Sequence, residues 1–150
     1  MKINNQLSEI QVNYTSKVKI SEMQKVTSSK DALECFRHIW SDKINYIEEC
    51  VLLLLNRAHK VMGYVKLSSG GTAGTVVDAK VIFQVALKCN ASSIILSHNH
   101  PSGNINPSEP DNVITKQILE VGKFLGIPLL DHIIITQEGF YSYADEGSLI

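Results

Sequence analysis

The sequence predicts an α/β fold in which a mixed sheet is flanked by helices. Short apolar stretches have the length of buried strands, and longer stretches place apolar residues at helical spacing. Gly, Pro, Ser and Asp residues separate these stretches. Their order along the chain is helix, hairpin, helix, strand, helix and hairpin, which is typical of a sheet packed between helices. The 150 residues, 44% of them apolar, are enough for one domain with a proper core.

The first third of the chain predicts an arm, a helix and a hairpin. Residues 1–27 are polar with some alternation, and we expect an N-terminal arm or an edge strand, followed by the main domain over 28–150. Ser28 or Ser29 is a good N-cap for the helix that follows, because its apolar residues recur every three or four positions. The hairpin is predicted as a buried strand at 47–56, a turn at 56–60 and a returning strand at 61–67.

The rest of the chain alternates helices and strands. The glycine-rich residues 68–75 predict a flexible loop, and Asp78 is expected to cap the next helix. Ser108 is expected to start a third helix that ends at Gly126. Strands are predicted at 92–97, 128–136 and 140–145.

Composition excludes several classes of protein. A net charge of -1 argues against a nucleic-acid interface spread over the whole chain. Cys35, Cys50 and Cys89 have apolar neighbours, so we expect small buried hydrophobic residues and not disulfides or metal ligands. The start of the chain lacks the apolar core of a signal peptide, and the apolar run 51–55 is too short to cross a bilayer. These features predict a cytoplasmic protein without a membrane partner.

The stretch SHNHPSGNINPSEPD carries the predicted site. His98 and His100 follow a buried strand, and residues two apart in an extended chain point the same way. Pro101 favours the extended conformation for His100. The two imidazoles can therefore lie side by side as a pair of metal ligands.

Asp111 has two interpretations that are compatible with each other. Ser108 and Asp111 form a capping-box pattern, with Asp where Glu or Gln is usual. Only residues 101–107 separate His100 from that helix, so Asp111 cannot lie far from the histidines. Two histidines and a carboxylate are a typical ligand set of catalytic zinc, which leaves a fourth position for an activated water. Hydrolysis also needs a base, and the alternation of a strand lets only one of Glu48 and Glu49 face a given site.

Asp131 and His132 leave two roles open. One of them can orient a metal-binding histidine, or both can serve as hydrogen-bonding residues of the core. His38 and His59 are expected on the surface.

The residues H-N-H-P, then S-x-x-D after seven intervening residues, with a glutamate upstream, resemble the JAMM (MPN/JAB) metalloprotease signature. With the flanking ASSIIL, LLDHIIIT and YSYADEG, the chain is similar to the RadC-type JAB family over about 28–147. The resemblance implies a cytidine-deaminase-like fold and zinc bound by His98, His100 and Asp111. It further implies that Glu48 is the base, with Glu49 as the fallback, and that the Ser108 hydroxyl supports an oxyanion.

The function that this resemblance implies is a zinc-dependent metallopeptidase or isopeptidase acting on a peptide or protein. The alternatives are a DNA-repair-associated or mobile-element accessory protein that binds without cleaving, and a catalytically silent JAB scaffold. RadC-type proteins resemble a fusion of a helix-hairpin-helix module to the JAB domain, and here a short arm stands in place of that module. A nucleic-acid partner therefore stays open, as do the substrate and the oligomeric state.

Overall fold

The computed structural model describes residues 8–40, 42–70 and 77–150. These residues form one five-stranded mixed sheet with helices on both faces. The helices are α1 (Ser29–Ile39), α2 (Ala79–Lys88) and α3 (Glu109–Leu125). The strands are β1 (Glu49–Leu55), β2 (Val61–Ser69), β3 (Ser93–Asn99), β4 (Leu129–Ile135) and β5 (Phe140–Ser142). The predicted fold class is confirmed.

The sheet order is β2-β1-β3-β4-β5. Strand β3 runs parallel to β4 and antiparallel to β1, and the two outer pairs are antiparallel. The end of β3 therefore lies beside the start of β1, where Cys50 pairs with His98. The segment that follows β3 and the segment that precedes β1 therefore meet at the same end of the strands.

The two faces of the sheet carry separate cores. On one face α2 and α3 cover a cluster that includes Cys50, Leu52 and Leu96. On the other face Phe36 of α1 covers Val51, Leu53 and two isoleucines of β4, Ile133 and Ile135. Because side chains alternate along a strand, neighbouring residues in β1 or β3 enter different cores.

The predicted helix starts and ends are confirmed. Ser28 caps α1 and Ser108 caps α3, each in a reciprocal capping box. Asp78 caps α2 by accepting a hydrogen bond from the backbone N–H of Lys80. Gly126 ends α3 with φ 69°, a left-handed conformation that glycine adopts without steric cost.

Several boundaries differ from the predictions. Strand β1 begins at Glu49 and not at residue 47. Strand β3 continues past residue 97 through Asn99, because β1 still pairs with His98 and β4 pairs with both His98 and Asn99. The final strand stops at Ser142 and not at residue 145, since the chain then turns with local bonds such as Ser148 N–H to Tyr143 O. Strand β2 extends to Ser69 into the predicted loop, and residues 71–76 of that loop lie outside the described residues.

For residues 1–27 the sequence predicts an arm or an edge strand, and the described part, residues 8–27, contains no strand. Residues 8–27 contain a short 3-10 helix at Ile20–Glu22 and one isolated bridge between Lys25 and Lys60. The division at residue 27 stays a prediction. All three cysteines are free, and Cys50 and Cys89 are buried as expected, whereas Cys35 is only half-buried on α1. Among the described residues, no helix combines the length and apolar character that crossing a bilayer requires.

Candidate metal centre

The candidate site lies at the edge where β3 ends, β1 begins and α3 starts. His98 is a residue of β3, and His100 follows that strand directly. Asp111 is the third residue of α3, whose first turn returns to the sheet edge after the loop 101–107. The predicted meeting of these three side chains is found.

The ligand atoms are close to one another. The two Nε2 atoms of His98 and His100 are 3.0 Å apart. Asp111 places Oδ1 3.1 Å from His98 Nε2 and Oδ2 3.3 Å from His100 Nε2. Nitrogen and oxygen ligands of a tetrahedral zinc with bonds of about 2.0–2.1 Å are about 3.3 Å apart. The three groups are therefore already spaced as such a ligand set requires.

Asp111 takes part in the helix cap and in the site at the same time. Its Oδ2 accepts hydrogen bonds from the Ser108 backbone N–H at 2.7 Å and the Ser108 hydroxyl at 2.6 Å. Burial works to raise the pKa of the Asp111 carboxyl, but hydrogen bonds from His100 and His98 in their protonated forms, and from Ser108, hold that pKa well below its usual range. The carboxylate is thus kept as an anion in a half-buried position, which suits a metal ligand.

A backbone carbonyl orients His100. Nδ1 of His100 lies 2.6 Å from Asn104 O, and a carbonyl oxygen can only accept a hydrogen bond. The Nδ1 atom therefore carries a proton, and in neutral His100 the Nε2 lone pair points toward His98 and Asp111. The hydrogen bond to Asp111 is the largest cause that raises the pKa of His100, and burial opposes it.

The two adjacent glutamates lie on opposite faces. Glu48 is half-buried, and a carboxylate oxygen of Glu48 and ring nitrogens of His98 and His100 all lie within 4.8 Å of one another. Glu49 is buried on the other side, 3.8 Å from Lys66 Nζ and within hydrogen-bond distance of the Ser69 hydroxyl. The structure thus places Glu48, and not the fallback Glu49, beside the histidines.

Asn99, the residue between the two histidines, fastens the segment that carries Glu48. Its Oδ1 accepts from the Glu49 backbone N–H at 2.6 Å, and its Nδ2 donates to Ile44 O and Ile47 O at 2.7 and 2.8 Å. The residue is fully buried. One side chain therefore satisfies one buried and two partly buried backbone groups of the 44–49 segment and joins it to the end of β3.

Asp131 and His132 have different hydrogen-bond partners. Asp131 accepts bonds from the Ser142 hydroxyl and the Ala144 N–H, and desolvation raises the pKa of its carboxyl. His132 places Nε2 2.8 Å from His98 Nδ1. Burial lowers the pKa of His132 well below its ordinary value, so this ring is neutral.

A small cavity lies beside these groups, lined in part by Glu48, Cys50, His98 and Asp111. Its volume of about 20 Å³ is enough for one water molecule or one ion. Burial raises the pKa of the Cys50 thiol, so the thiol stays protonated and contributes a neutral wall and not a thiolate ligand.

Sequence reasoning overlooked two contributors to this site. Cys50 was expected only as a core residue, although it pairs with His98 across the strands. The sequence does not single out Thr115, whose hydroxyl lies against His132 Nδ1 in the structure. Its only sequence signal is a hydroxyl-bearing residue one helical turn after Asp111. His38 and His59 are exposed as expected.

Comparison with known proteins adds a family to this geometry. The family described as RadC-like JAB domain matches residues 26–148. A UPF0758 protein of Flavobacterium johnsoniae is 44% identical over 128 residues, which cover 85% of this chain and 55% of that protein. A UPF0758 protein of Geotalea uraniireducens is 34% identical over 131 residues, which cover 87% of this chain and 57% of that protein. The chain thus spans little more than half the length of these relatives.

Proposed function

Because this chain belongs to the RadC-like JAB domain family, we propose that it is a zinc-dependent peptidase or isopeptidase that hydrolyses an amide bond. One observation carries the proposal. Two imidazole nitrogens and a carboxylate lie within 3.0–3.3 Å of one another, beside the carboxylate of Glu48 and a cavity of one-water size. A purely structural cluster has no need of this spacing.

His98, His100 and Asp111 would hold the metal through Nε2, Nε2 and a carboxylate oxygen. Nitrogen and oxygen donors in this number are the set that catalytic zinc uses. Bound zinc would supply Lewis-acid chemistry, by lowering the pKa of a water molecule and polarising the carbonyl of the substrate. The buried walls around His98 would keep competing water away from these groups.

Glu48 would move the protons of the reaction. Its carboxylate would accept a proton from the attacking water as the water oxygen bonds to the carbonyl carbon. The same carboxyl group would then give that proton to the amide nitrogen as the carbon–nitrogen bond breaks, so that a free amine leaves. The bonds from Asn99 to the 44–49 segment support this role, because they limit the positions open to Glu48.

Ser108 would stabilise the oxyanion with its hydroxyl hydrogen. That hydrogen is directed at Asp111 Oδ2 in the free protein, so it would have to turn toward the substrate. Asp111 would still retain the Ser108 backbone N–H as a partner. The cap would therefore survive while the hydroxyl changes its acceptor.

The adjacent glutamates offer a matched test. Zinc-loaded wild-type protein is incubated with a fluorogenic peptide and isopeptide library, beside Glu48→Gln and Glu49→Gln. We expect cleavage by wild type, a loss of at least about 100-fold in Glu48→Gln, and near wild-type rates in Glu49→Gln. Full activity of Glu48→Gln, or equal losses in both variants that track their stability, would refute the assigned base. No cleavage of any member would leave the peptidase proposal without its substrate class and count against it.

A further inference from the structure

A chain of hydrogen bonds runs from the backbone of α3 through Thr115 and His132 to His98. Thr115 Oγ1 lies 2.6 Å from Asp111 O, one helical turn earlier. Thr115 Oγ1 also contacts His132 Nδ1, and His132 Nε2 lies 2.8 Å from His98 Nδ1. All three side chains are buried, with exposed fractions of 3% for Thr115, 1% for His132 and 4% for His98.

The position of each proton in this series of hydrogen bonds follows from the carbonyl oxygen of Asp111, where the series begins. A carbonyl oxygen carries no hydrogen, so the Thr115 hydroxyl must donate to Asp111 O. A hydroxyl has one hydrogen, so toward His132 the Thr115 oxygen can only accept. His132 Nδ1 must then donate. A neutral ring that donates through Nδ1 presents a lone pair at Nε2.

The same logic continues to His98. Because His132 Nε2 accepts, His98 Nδ1 must donate, and the Nε2 of a neutral His98 is left unprotonated. That Nε2 is the atom 3.0 Å from His100 Nε2 and 3.1 Å from Asp111 Oδ1. His100 reaches the same state by donating Nδ1–H to Asn104 O. The hydrogen bonds from His98 Nδ1 to His132 and from His100 Nδ1 to Asn104 O thus leave the two Nε2 lone pairs directed at the same point.

The ring of His132 is itself held from behind. It stacks on Tyr143 with an interplanar angle of 5° and a centroid distance of 5.1 Å. The Tyr143 hydroxyl donates to Asn112 Oδ1 on α3 at 2.8 Å. Rotation of His132 away from His98 would therefore disturb its stacking on Tyr143, which follows β5 and is itself bonded to α3.

We propose that His132 and Thr115 are positioning residues that fix the Nδ1–H tautomer of His98 and so prepare its Nε2 to bind a metal ion. The inference rests on the proposed function for the identity of the metal ligand. Metal-binding histidines commonly donate their second ring N–H to a carboxylate or carbonyl, and such partners tune metal affinity. Here the partner is an imidazole, whose own tautomer must be set by Thr115 before it can accept.

Four variants of the full chain separate positioning from packing. His132→Phe removes the acceptor for His98 but keeps an aromatic ring against Tyr143, and His132→Gln offers an amide oxygen in its place. Thr115→Val removes the hydroxyl that accepts from His132 Nδ1, with little change in volume, and Thr115→Ser retains that hydroxyl. Asp131→Ala is the matched control, because it breaks one buried and one partly buried hydrogen bond on the other face, and neither of these bonds involves a histidine ligand.

The first readout uses metal-free protein. Long-range ¹H–¹⁵N correlation spectra of the imidazoles report which nitrogen of His98 carries the proton. We expect Nδ1–H in wild type, Thr115→Ser and Asp131→Ala, and a mixture of both tautomers in His132→Phe and Thr115→Val. A wild-type His98 protonated only at Nε2 would overturn the proposal, as would an unchanged Nδ1–H tautomer in both His132→Phe and Thr115→Val.

The second readout is zinc affinity by competition with a chelating dye, beside the thermal midpoint of each metal-free variant. We expect His132→Phe to bind zinc about 10- to 100-fold more weakly, Thr115→Val to lose less, and His132→Gln to recover most of the loss. Asp131→Ala should lose stability but keep its affinity. Equal affinity losses in Asp131→Ala and His132→Phe would reduce His132 to a packing residue. Neither readout needs peptidase activity, so failure of the proposed reaction would leave both results interpretable.

Discussion

The two faces of the sheet use polar residues in opposite ways. Three pairs of neighbours, 48–49, 98–99 and 131–132, are each split by strand alternation. On the α2/α3 side, Glu48, His98 and His132 direct their polar atoms toward one another and a small cavity. On the α1 side, Glu49, Asn99 and Asp131 are buried and make hydrogen bonds that hold strands and turns in place.

Residue type alone therefore does not mark a metal site. Asp131 and Asp111 each accept hydrogen bonds from two or more donors, yet the pKa values of their carboxyls move in opposite directions. Burial raises the pKa of Asp131, whose hydrogen-bond donors are a hydroxyl and backbone amides. Asp111 is half-buried, but two imidazoles face its oxygens and the pKa of its carboxyl falls. A candidate metal ligand is distinguished by the groups that face its carboxylate.

The largest effect expected on the α1 face comes from Asn99→Ala. It leaves the Glu49 N–H and the carbonyls of Ile44 and Ile47 without their buried partner, at a cost of about 1–3 kcal/mol for an unsatisfied group. We expect the free energy of unfolding to fall by about 3 kcal/mol in urea titrations.

The matched control is Asn45→Ala, because Asn45 is exposed and bonds only the Gln137 side chain among the contacts described for it. We expect a change within about 0.5 kcal/mol for this variant. Zinc affinity of Asn99→Ala should change far less than that of a ligand variant, since Asn99 points away from the imidazoles. A ligand-like loss of zinc, or wild-type stability, would break the division between the two faces.

A smaller effect is expected from pH in metal-free protein. The hydrogen bond to Asp111 raises the pKa of His100 above the unfolded value of about 6.5. Folded protein therefore holds more protons than unfolded protein above that pH, so stability falls as pH rises through the raised pKa. The free energy of unfolding should decline over that range in wild type and decline less in His100→Gln. Identical pH profiles for the two proteins would show that His100 and Asp111 are not coupled.

Much of the fold was predictable because it depends on local patterns. The capping boxes at Ser28 and Ser108 and the left-handed Gly126 are short-range chemistry, and they lie where the sequence places them. The separation of Glu48 from Glu49 follows from the two-residue period of a strand. The convergence of His98, His100 and Asp111 follows from the short loop between them.

The remaining features depend on contacts between distant segments. That His132 reaches His98 requires β4 to lie beside β3, and that Thr115 reaches His132 requires the packing of α3 on the sheet. The choice between Asp131 and His132 as partner of the site was thus beyond the pattern LLDHIII. The early end of β5 depends on the turn after Ser142, where Asp131 binds the Ala144 N–H.

The most direct test of the metal centre is the metal content of the purified full chain, measured by elemental analysis beside His98→Ala and Asp111→Asn. Exposed His38→Ala serves as control for histidine removal. We expect about one zinc per chain in wild type and in His38→Ala, and little or none in the two ligand variants. Wild-type protein that contains no metal and neither binds nor is stabilised by added zinc would contradict this expectation, as would equal zinc content in all four proteins.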